Sequence, residues 1–264
     1  MQLPAGKKVY FLSDFHLGAP DPVKSLEREK IIVSFLDSIQ HDAAVIFIVG
    51  DMFDFWYEYK RVVPKGFTRI LGKLASLSDA GIQLYFFAGN HDMWMRDYFE
   101  QEFSMPVYFE PKEFLFNEKK FLIGHGDGLG PGDHGYKAMK RVFRNPFCQW
   151  LFGVFPPYFG MGLADYFSRK SRATTGKNDE VFMGEDNEWL ITYSKEQLQL
   201  NHYDYLVFGH RHLPIDFELK SALGVSRYIN LGDWIRYFTF ASFDGDRMQL
   251  QSIYPENEKC IVRR

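Results

Sequence analysis

Five short segments of the chain carry carboxylate, carboxamide or imidazole side chains, four of them beside glycine, and each stands where an apolar run ends. They are Asp14-Phe15-His16, Gly50-Asp51-Met52-Phe53-Asp54, Gly89-Asn90-His91-Asp92, Gly124-His125-Gly126 and Gly209-His210-Arg211-His212, and they hold five of the eight histidines. Donors of this kind suit divalent cations, and two cations roughly 3.5–4 Å apart form the arrangement that activates water against a phosphate ester. Such a pair needs one anionic ligand to bridge it, and Asp51 is the expected bridge. Asp14 and His16, two apart on an extended segment, point the same way and can share one ion; His210 and His212 repeat the spacing. Asn90 and His125 complete the shell of the second ion. No thiolate is in the set, which favours Mn²⁺, Fe²⁺, Mg²⁺ or Zn²⁺ over softer metals; ligand type alone does not choose among them, and Mn²⁺ is the expected ion. One carboxylate at a strand end is more often a cap or turn residue. Five such segments together argue for metal.

The elements that must position these residues are legible as apolar periodicity. Val9 to Leu12, Val45 to Val49, Leu84 to Ala88, Phe121 to Ile123 and Tyr205 to Phe208 read as buried strands. In open α/β sheets ligands collect beyond the carboxyl ends of strands, so the five segments are expected to share one rim. Leu26, Ile31, Ile32, Phe35, Leu36 and Ile39 recur at helical spacing, as do Phe67, Ile70, Leu71, Leu74 and Leu77 before Gly81. Strand-helix-strand order through residue 92 predicts a parallel half-sheet with right-handed crossovers. The later chain is strand-rich: Arg227 to Leu231, then Phe238 to Phe243 and Met248 to Tyr254 around the turn Asp244-Gly245-Asp246, which reads as a hairpin. Between Asp133 and about Asn201 no strand signal interrupts a helix-like, aromatic stretch. The expected organisation is a core of residues 1–132 and 202–264 carrying an inserted helical cap, 133–201.

The 264 residues are 46% hydrophobic, enough for one large core plus an insertion. A net charge of −3 gives no ground for a nucleic-acid partner, and no obligate protein partner is evident. The two cysteines, Cys148 and Cys260, are far apart and form no CxxC pair, which favours a reduced, cytoplasmic setting. Met1 to Lys8 runs directly into a strand, so no signal peptide is expected. No uncharged apolar stretch approaches the ~20 residues of a spanning helix. Any meeting with a membrane would be peripheral.

The ordered set D-x-H, G-D-x-x-D, G-N-H-D, G-H and G-H-x-H, spanning residues 14 to 212, resembles the signature of the calcineurin-like metallophosphoesterase superfamily. The resemblance implies an α/β fold, a four-layer α/β/β/α sandwich with its ligands on loops along one sheet edge. It implies further that Asp14, His16, Asp51 and His212 hold one ion, and Asp51, Asn90, His125 and His210 the other. His91 resembles the superfamily's non-ligand histidine beside the leaving group, oriented by an acidic neighbour, here Asp92. An imidazole next to a carboxylate keeps its pKa near working pH and can protonate a departing oxygen. Asp54 is expected in the outer shell, where carboxylates orient ligating histidines.

The insertion bears on the substrate. From His134 to Lys177 the cations are Lys137, Lys140, Arg141, Arg144, Arg169, Lys170, Arg172 and Lys177, against the single acid Asp165, among many aromatics. Cations beside an apolar surface suit an anionic lipid or an anionic leaflet. A helical hairpin packed on the core would show the same composition, and composition alone does not separate the two. A narrower resemblance does: Gly124-His125-Gly126-Asp127-Gly128-Leu129 with Asp133, Tyr136 and Arg144-Asn145-Pro146, Gly50 to Trp56, Gly209 to Pro214, and Leu231-Gly232-Asp233-Trp234 resemble the UDP-2,3-diacylglucosamine hydrolases of lipid A biosynthesis. That resemblance implies hydrolysis of a lipid-linked nucleotide diphosphate to UMP and 2,3-diacylglucosamine 1-phosphate, at the inner face of the inner membrane. It implies that Asp133 and Tyr136 contact the sugar or lipid, and that Arg169, Arg172 and Lys177 contact phosphate. The chain departs from the best-known branch by having His91 where that branch has arginine. The second reading is a soluble phosphatase or phosphodiesterase acting on another phosphate ester or nucleotide diphosphate; a non-catalytic binding module would be expected to have lost ligands, and none is missing.

Overall fold

The computed structural model describes residues 1–131, 134–160, 162 and 181–263. Two six-stranded sheets face one another. The first has the order β11-β10-β1-β2-β3-β4 and the second β12-β8-β9-β7-β6-β5. In the first sheet β1 (Lys8–Leu12), β2 (Ala43–Val49), β3 (Gln83–Phe87) and β4 (Val107–Tyr108) run parallel, and the antiparallel hairpin of β10 (Thr239–Phe243) and β11 (Met248–Ser252) extends it beside β1. In the second, β6 (Lys119–Gly124), β7 (Tyr205–Phe208) and β9 (Gly224–Leu231) are parallel. They are flanked by β5 (Lys112–Phe116) and β8 (Pro214–Ser221), with β12 (Val262–Arg263) outermost.

The strands read as unbroken apolar runs because both of their faces are covered. Val9, Phe11, Val45, Phe47 and Val49 of the first sheet meet Phe121, Ile123, Tyr205, Val207, Ile229 and Leu231 of the second in the central core. The alternate residues Tyr10, Leu12, Ile46, Ile48, Leu84 and Phe86 face outward onto α1 (Pro22–Ile39), α2 (Thr68–Asp79) and α3 (Tyr98–Phe103). Leu122, Leu206, Phe208 and Tyr228 cover the opposite flank against α6 (Trp189–Leu200). The layers are therefore helix, sheet, sheet, helix, as the four-layer α/β/β/α expectation has it. The helix Trp189–Leu200, which the sequence reading assigns to the insertion, lies in the outer layer of the core, because Leu190, Ile191 and Leu198 are the apolar stripe that covers the second sheet.

The helices of the first sheet also brace its rim. Asp21 caps α1 through the N–H groups of Val23 and Lys24, with Pro22 in the first turn. Buried Arg28 reaches back to the carbonyls of His16 and Ala19. The N-terminus of α2 has no cap of its own; buried Glu29 of α1 supplies one, accepting from Arg69 N at 3.0 Å and Ile70 N at 3.1 Å.

Of the insertion, α4 (His134–Phe143) and α5 (Pro146–Val154) are described. Asn145 caps α5 through Phe147 N at 2.8 Å. Polar and aromatic contacts seat the pair on the core: Trp94 Nε1 donates to the Phe143 carbonyl at 2.7 Å, Tyr57 Oη to the Gln149 carbonyl at 2.7 Å, Lys140 Nζ pairs with Asp127 at 2.6 Å, Arg144 pairs with Glu110, and the Phe152 ring meets those of Phe55, Tyr57 and Trp94. No residue of α5 is buried; Phe147, Trp150, Leu151 and Val154 stand in solvent, followed by Phe155, Tyr158 and Phe159. Both cysteines are free, and no helix among the described residues is long and apolar enough to cross a membrane.

Replacing Glu29 by alanine leaves the buried Ile70 N–H and the part-buried Arg69 N–H of α2 without their acceptor and is expected to cost about 1–3 kcal/mol of stability. Denaturant unfolding measures this, and metal binding is expected to be unchanged, since Glu29 acts on the helix layer.

Candidate metal centre

The carboxyl ends of β1, β2 and β3 from one sheet and of β6, β7 and β9 from the other meet at a single rim. Asp14 follows β1, Asp51 follows β2, Asn90 follows β3, His125 follows β6, His210 and His212 follow β7, and Asp233 follows β9. Backbone hydrogen bonds lace the loops together: Asp14 N to Gly50 O at 3.0 Å, His16 N to Asp51 O at 2.9 Å, and Gly209 N to His125 O at 2.9 Å. Asp14, His16, Asp51, His210 and His212 all have positive φ, between 22° and 66°. Non-glycine residues held there carry a strain of order 1–3 kcal/mol each, tolerated where the surroundings over-determine the backbone. Glycine precedes the ligands because nothing larger fits. A Cβ on Gly209 would lie 2.7 Å from Asp14 Oδ2 and 2.9 Å from the Val49 carbonyl, and one on Gly89 would lie 2.6 Å from the Asp51 amide nitrogen.

The side chains gather in three overlapping groups, Asp14 with His16 and His212, His16 with Asp51 and His91, and Asp51 with His125 and His210, and within each group the donor atoms lie within 4.8 Å of one another. Asp51 belongs to two of them. Its Oδ1 accepts from His91 N at 2.9 Å, and its Oδ2 lies 3.7 Å from His16 Nε2 and 3.4 Å from His125 Nε2. Asp14 gives Oδ2 to Ser13 Oγ and His210 N, leaving Oδ1 without a hydrogen bond, 3.3 Å from His212 Nε2 and 3.7 Å from His16 Nε2. His16 and His212 bring their Nε2 atoms to 3.1 Å, and Asn90 Oδ1 lies 3.3 Å from His125 Nε2. A buried carboxylate oxygen without a donor, facing convergent imidazole nitrogens, is what a cation-binding cluster presents, and the donor set fits two divalent ions. Asp14, Asp51, His16 and His125 are buried, whereas Asn90, His91, His210 and His212 are half-buried and line the open side.

Neighbours fix the tautomers. His125 Nδ1 donates to the Val49 carbonyl at 2.8 Å, which turns Nε2 to the cluster. His212 Nδ1 lies 3.3 Å from Asp233 Oδ2, while Asp233 Oδ1 accepts from the N–H groups of Ile235, Arg236 and Tyr237. Asp54 Oδ1 lies 3.7 Å from His16 Nδ1. The ring of His91 is oriented by Asp54 too, through its carbonyl at 2.9 Å and its carboxylate at 3.9 Å. The sequence reading places Asp92 in that role, but the oxygens of Asp92 accept from Gly89 N at 2.7 Å and Met52 N at 2.8 Å, so Asp92 pins the β2 and β3 loops to each other. Tyr136 donates to Asp127 at 2.7 Å, two residues beyond His125. Asp133, Arg169, Arg172 and Lys177 lie outside the described residues. Asp233, which orients His212, was visible in sequence only as part of Leu231-Gly232-Asp233-Trp234, with nothing local to mark its function.

Burial penalises every charge here, and the groups answer in pairs. Burial raises the carboxyls of Asp14 and Asp51, but the imidazoles close to them, His16 and His212 beside Asp14 and His125 beside Asp51, outweigh it and hold both low. Burial likewise disfavours protonated His125, but Asp51 overcomes it and lifts the ring to about 10; Asp14 and Asp233 raise His212 in the same way. His91 and His210 are pushed down to about 4, chiefly by burial. Asp92 is raised to about 7 by burial and by the charge of Asp51.

The neighbouring carboxylates favour protons on His125 and His212, so a cation binding there would compete with protons. Mn²⁺ affinity is expected to rise with pH from about 6 to 8 and binding to release protons. Calorimetry in buffers of different ionisation enthalpy checks this; affinity independent of pH would contradict it.

The model of the calcineurin-like phosphoesterase family matches residues 7–214. A protein of Porphyromonas gingivalis named UDP-2,3-diacylglucosamine hydrolase is 39% identical, covering 93% of this chain and 97% of the relative. One of Ectopseudomonas mendocina with the same name is 28% identical, covering 90% and 95%. The matched region contains the whole constellation from Asp14 to His212, and the chain belongs to the calcineurin-like phosphoesterase family.

Proposed function

We propose that the chain hydrolyses the pyrophosphate of UDP-2,3-diacylglucosamine, releasing UMP and 2,3-diacylglucosamine 1-phosphate. The observation that carries this reading is the pairing of the metal rim with an insertion whose helix α5 packs Phe152 on Phe55 and Trp94 while leaving Phe147, Trp150, Leu151 and Val154 in solvent. Each large apolar side chain so placed forgoes roughly 1.5–3 kcal/mol of burial, which acyl chains or a bilayer surface could recover. Trp94, three residues past His91, and Asp127, two past His125, tie α4 to the ligand loops, so a lipid held by the insertion would have its head group near the clusters. The relatives that cover nearly all of the chain carry the name of this activity.

In this reading Asp14, His16, Asp51 and His212 hold one ion and Asp51, Asn90, His125 and His210 the other, the ions being Mn²⁺. When bound, they supply an activated nucleophile and the positive charge that phosphoryl oxygens require. Water oxygen joins the α-phosphorus, the bond to the bridging oxygen breaks, and the sugar 1-phosphate leaves with the electron pair. Asp54 keeps the Nδ1 proton of His91 on its carbonyl, so Nε2 serves the leaving group. Nε2 can donate only when the ring is protonated, a state that the substrate's own negative charge favours. The cations Arg169, Arg172 and Lys177 would hold phosphate, and Asp133 and Tyr136 the sugar or lipid. The insertion would dock on the inner face of the inner membrane, with the residues from 133 to the start of α6 as the segment that carries lipid.

Asp51→Asn removes the anion shared by both clusters and is expected to abolish turnover and reduce bound metal, measured by elemental analysis beside activity. His91→Asn is expected to lower kcat by about 10²–10⁴-fold with metal content intact. Assayed with Mn²⁺ against UDP-2,3-diacylglucosamine, UDP-glucosamine and an aryl phosphate, the enzyme is expected to prefer the diacylated substrate strongly. Equal turnover of UDP-glucosamine would contradict the lipid assignment and favour a nucleotide-diphosphate hydrolase.

A further inference from the structure

Arg211 stands in sequence between His210 and His212, yet its own side chain is committed elsewhere. It is 1% exposed, and its Nε and Nη2 lie 3.1 and 3.3 Å from the two oxygens of Glu188, with Nη2 also donating to the Val181 carbonyl at 2.6 Å. The guanidinium lies over the Trp189 ring at 5.6 Å, and that ring meets His210 edge-on at 6.3 Å. Glu188 is equally buried; its Oε1 accepts from Met183 N and its carbonyl from Thr192 N in the first turn of α6. The segment 181–188 leads from the insertion back into the core, so one buried ion pair joins it to the loop that presents two metal-facing histidines.

A buried pair of this kind is weak evidence for stability, since apolar side chains of similar volume often serve as well. What the planar fork adds is direction, because two parallel hydrogen bonds fix the guanidinium in plane and in rotation. The loop holds both histidines at positive φ, 66° and 22°, and its other ties, Gly209 N to the His125 carbonyl, Asn230 Nδ2 to the Gly209 carbonyl, His210 N to Asp14 and His212 Nδ1 to Asp233, leave the Arg211 side chain as the link to segment 181–188.

We propose that Arg211 and Glu188 are positioning residues of the metal centre, holding His210 and His212 at the spacing their ions require. Seating of segment 181–188 thereby sets metal affinity, and metal in turn stabilises that segment, since coupling between two sites is reciprocal. The inference rests on the metal-binding reading of the rim and not on the identity of the substrate.

The test uses the full chain stripped of metal and titrated with Mn²⁺ alone, without lipid. Glu188→Gln and Arg211→Met are expected to weaken Mn²⁺ binding by about 10–100-fold, the scale of losing an outer partner of a metal ligand. Arg211→Lys, which keeps the charge but not the fork, falls between them and the unaltered protein. Hydrogen exchange of residues 181–188 is expected to slow on adding Mn²⁺ to the unaltered protein and to lose that response in Glu188→Gln. Leu74→Ala, in the helix layer of the first sheet, serves as the control that lowers the melting temperature and leaves Mn²⁺ affinity unchanged. Unaltered Mn²⁺ affinity in both Glu188→Gln and Arg211→Met, or an equal weakening in Leu74→Ala, overturns the proposal. If Arg211→Met does not fold, Glu188→Gln and Arg211→Lys decide it on the same readings.

Discussion

Asp51 turns one carboxylate oxygen to the His91 backbone and the other to the imidazoles of His16 and His125, one on each side of the rim. It is 1% exposed, and Asp14 beside it is fully buried. Two carboxylates removed from water in so small a volume would be prohibitive without compensating positive charge. The carboxylates favour the protonated forms of His125 and His212, and divalent ions would supply the positive charge more fully. The rest of the architecture follows from bringing these two acids together and keeping them there.

That requirement explains features that a stable sandwich alone does not need. Residues of the clusters sit in left-handed backbone, glycines are placed where a Cβ would strike a ligand, and buried Arg28, Asp92 and Asn230 tie the loops from behind. The strain is borne by loops that two rigid sheets anchor at both ends, which is where a protein can hold unfavourable backbone geometry. The exposed face of α5 is the other feature at odds with stability, and it stands on helices bonded directly to the His91 and His125 loops.

The ligand segments were legible because each is local: a strand period, a glycine and a coordinating side chain within a few residues. The layers were legible for the same reason, since two apolar faces on one strand require cover on both sides. Partners distant in sequence were not. Nothing near Asp233 shows that it will meet His212, and nothing between His210 and His212 shows that Arg211 will find Glu188, 23 residues upstream. Asp92 looks like the natural neighbour of His91, yet its side chain serves the backbone of two other loops, and Asp54 takes that place because β2 and β3 are adjacent and parallel. β4, β5, β8 and β12 escaped notice because the first and last are two residues long, β5 is a short edge strand with only three apolar residues after Lys112 and Glu113, and β8 alternates apolar with polar residues. The helix Trp189–Leu200 followed an aromatic stretch without a break in pattern, and only its packing reveals which layer it belongs to.

The most direct test of the central claim is the anomalous scattering of crystals grown with Mn²⁺. The account predicts two peaks at the rim, one beside Asp14, His16 and His212 and one beside Asn90, His125 and His210, with the Asp51 carboxylate touching both. A single ion, or two ions not joined through Asp51, would contradict it.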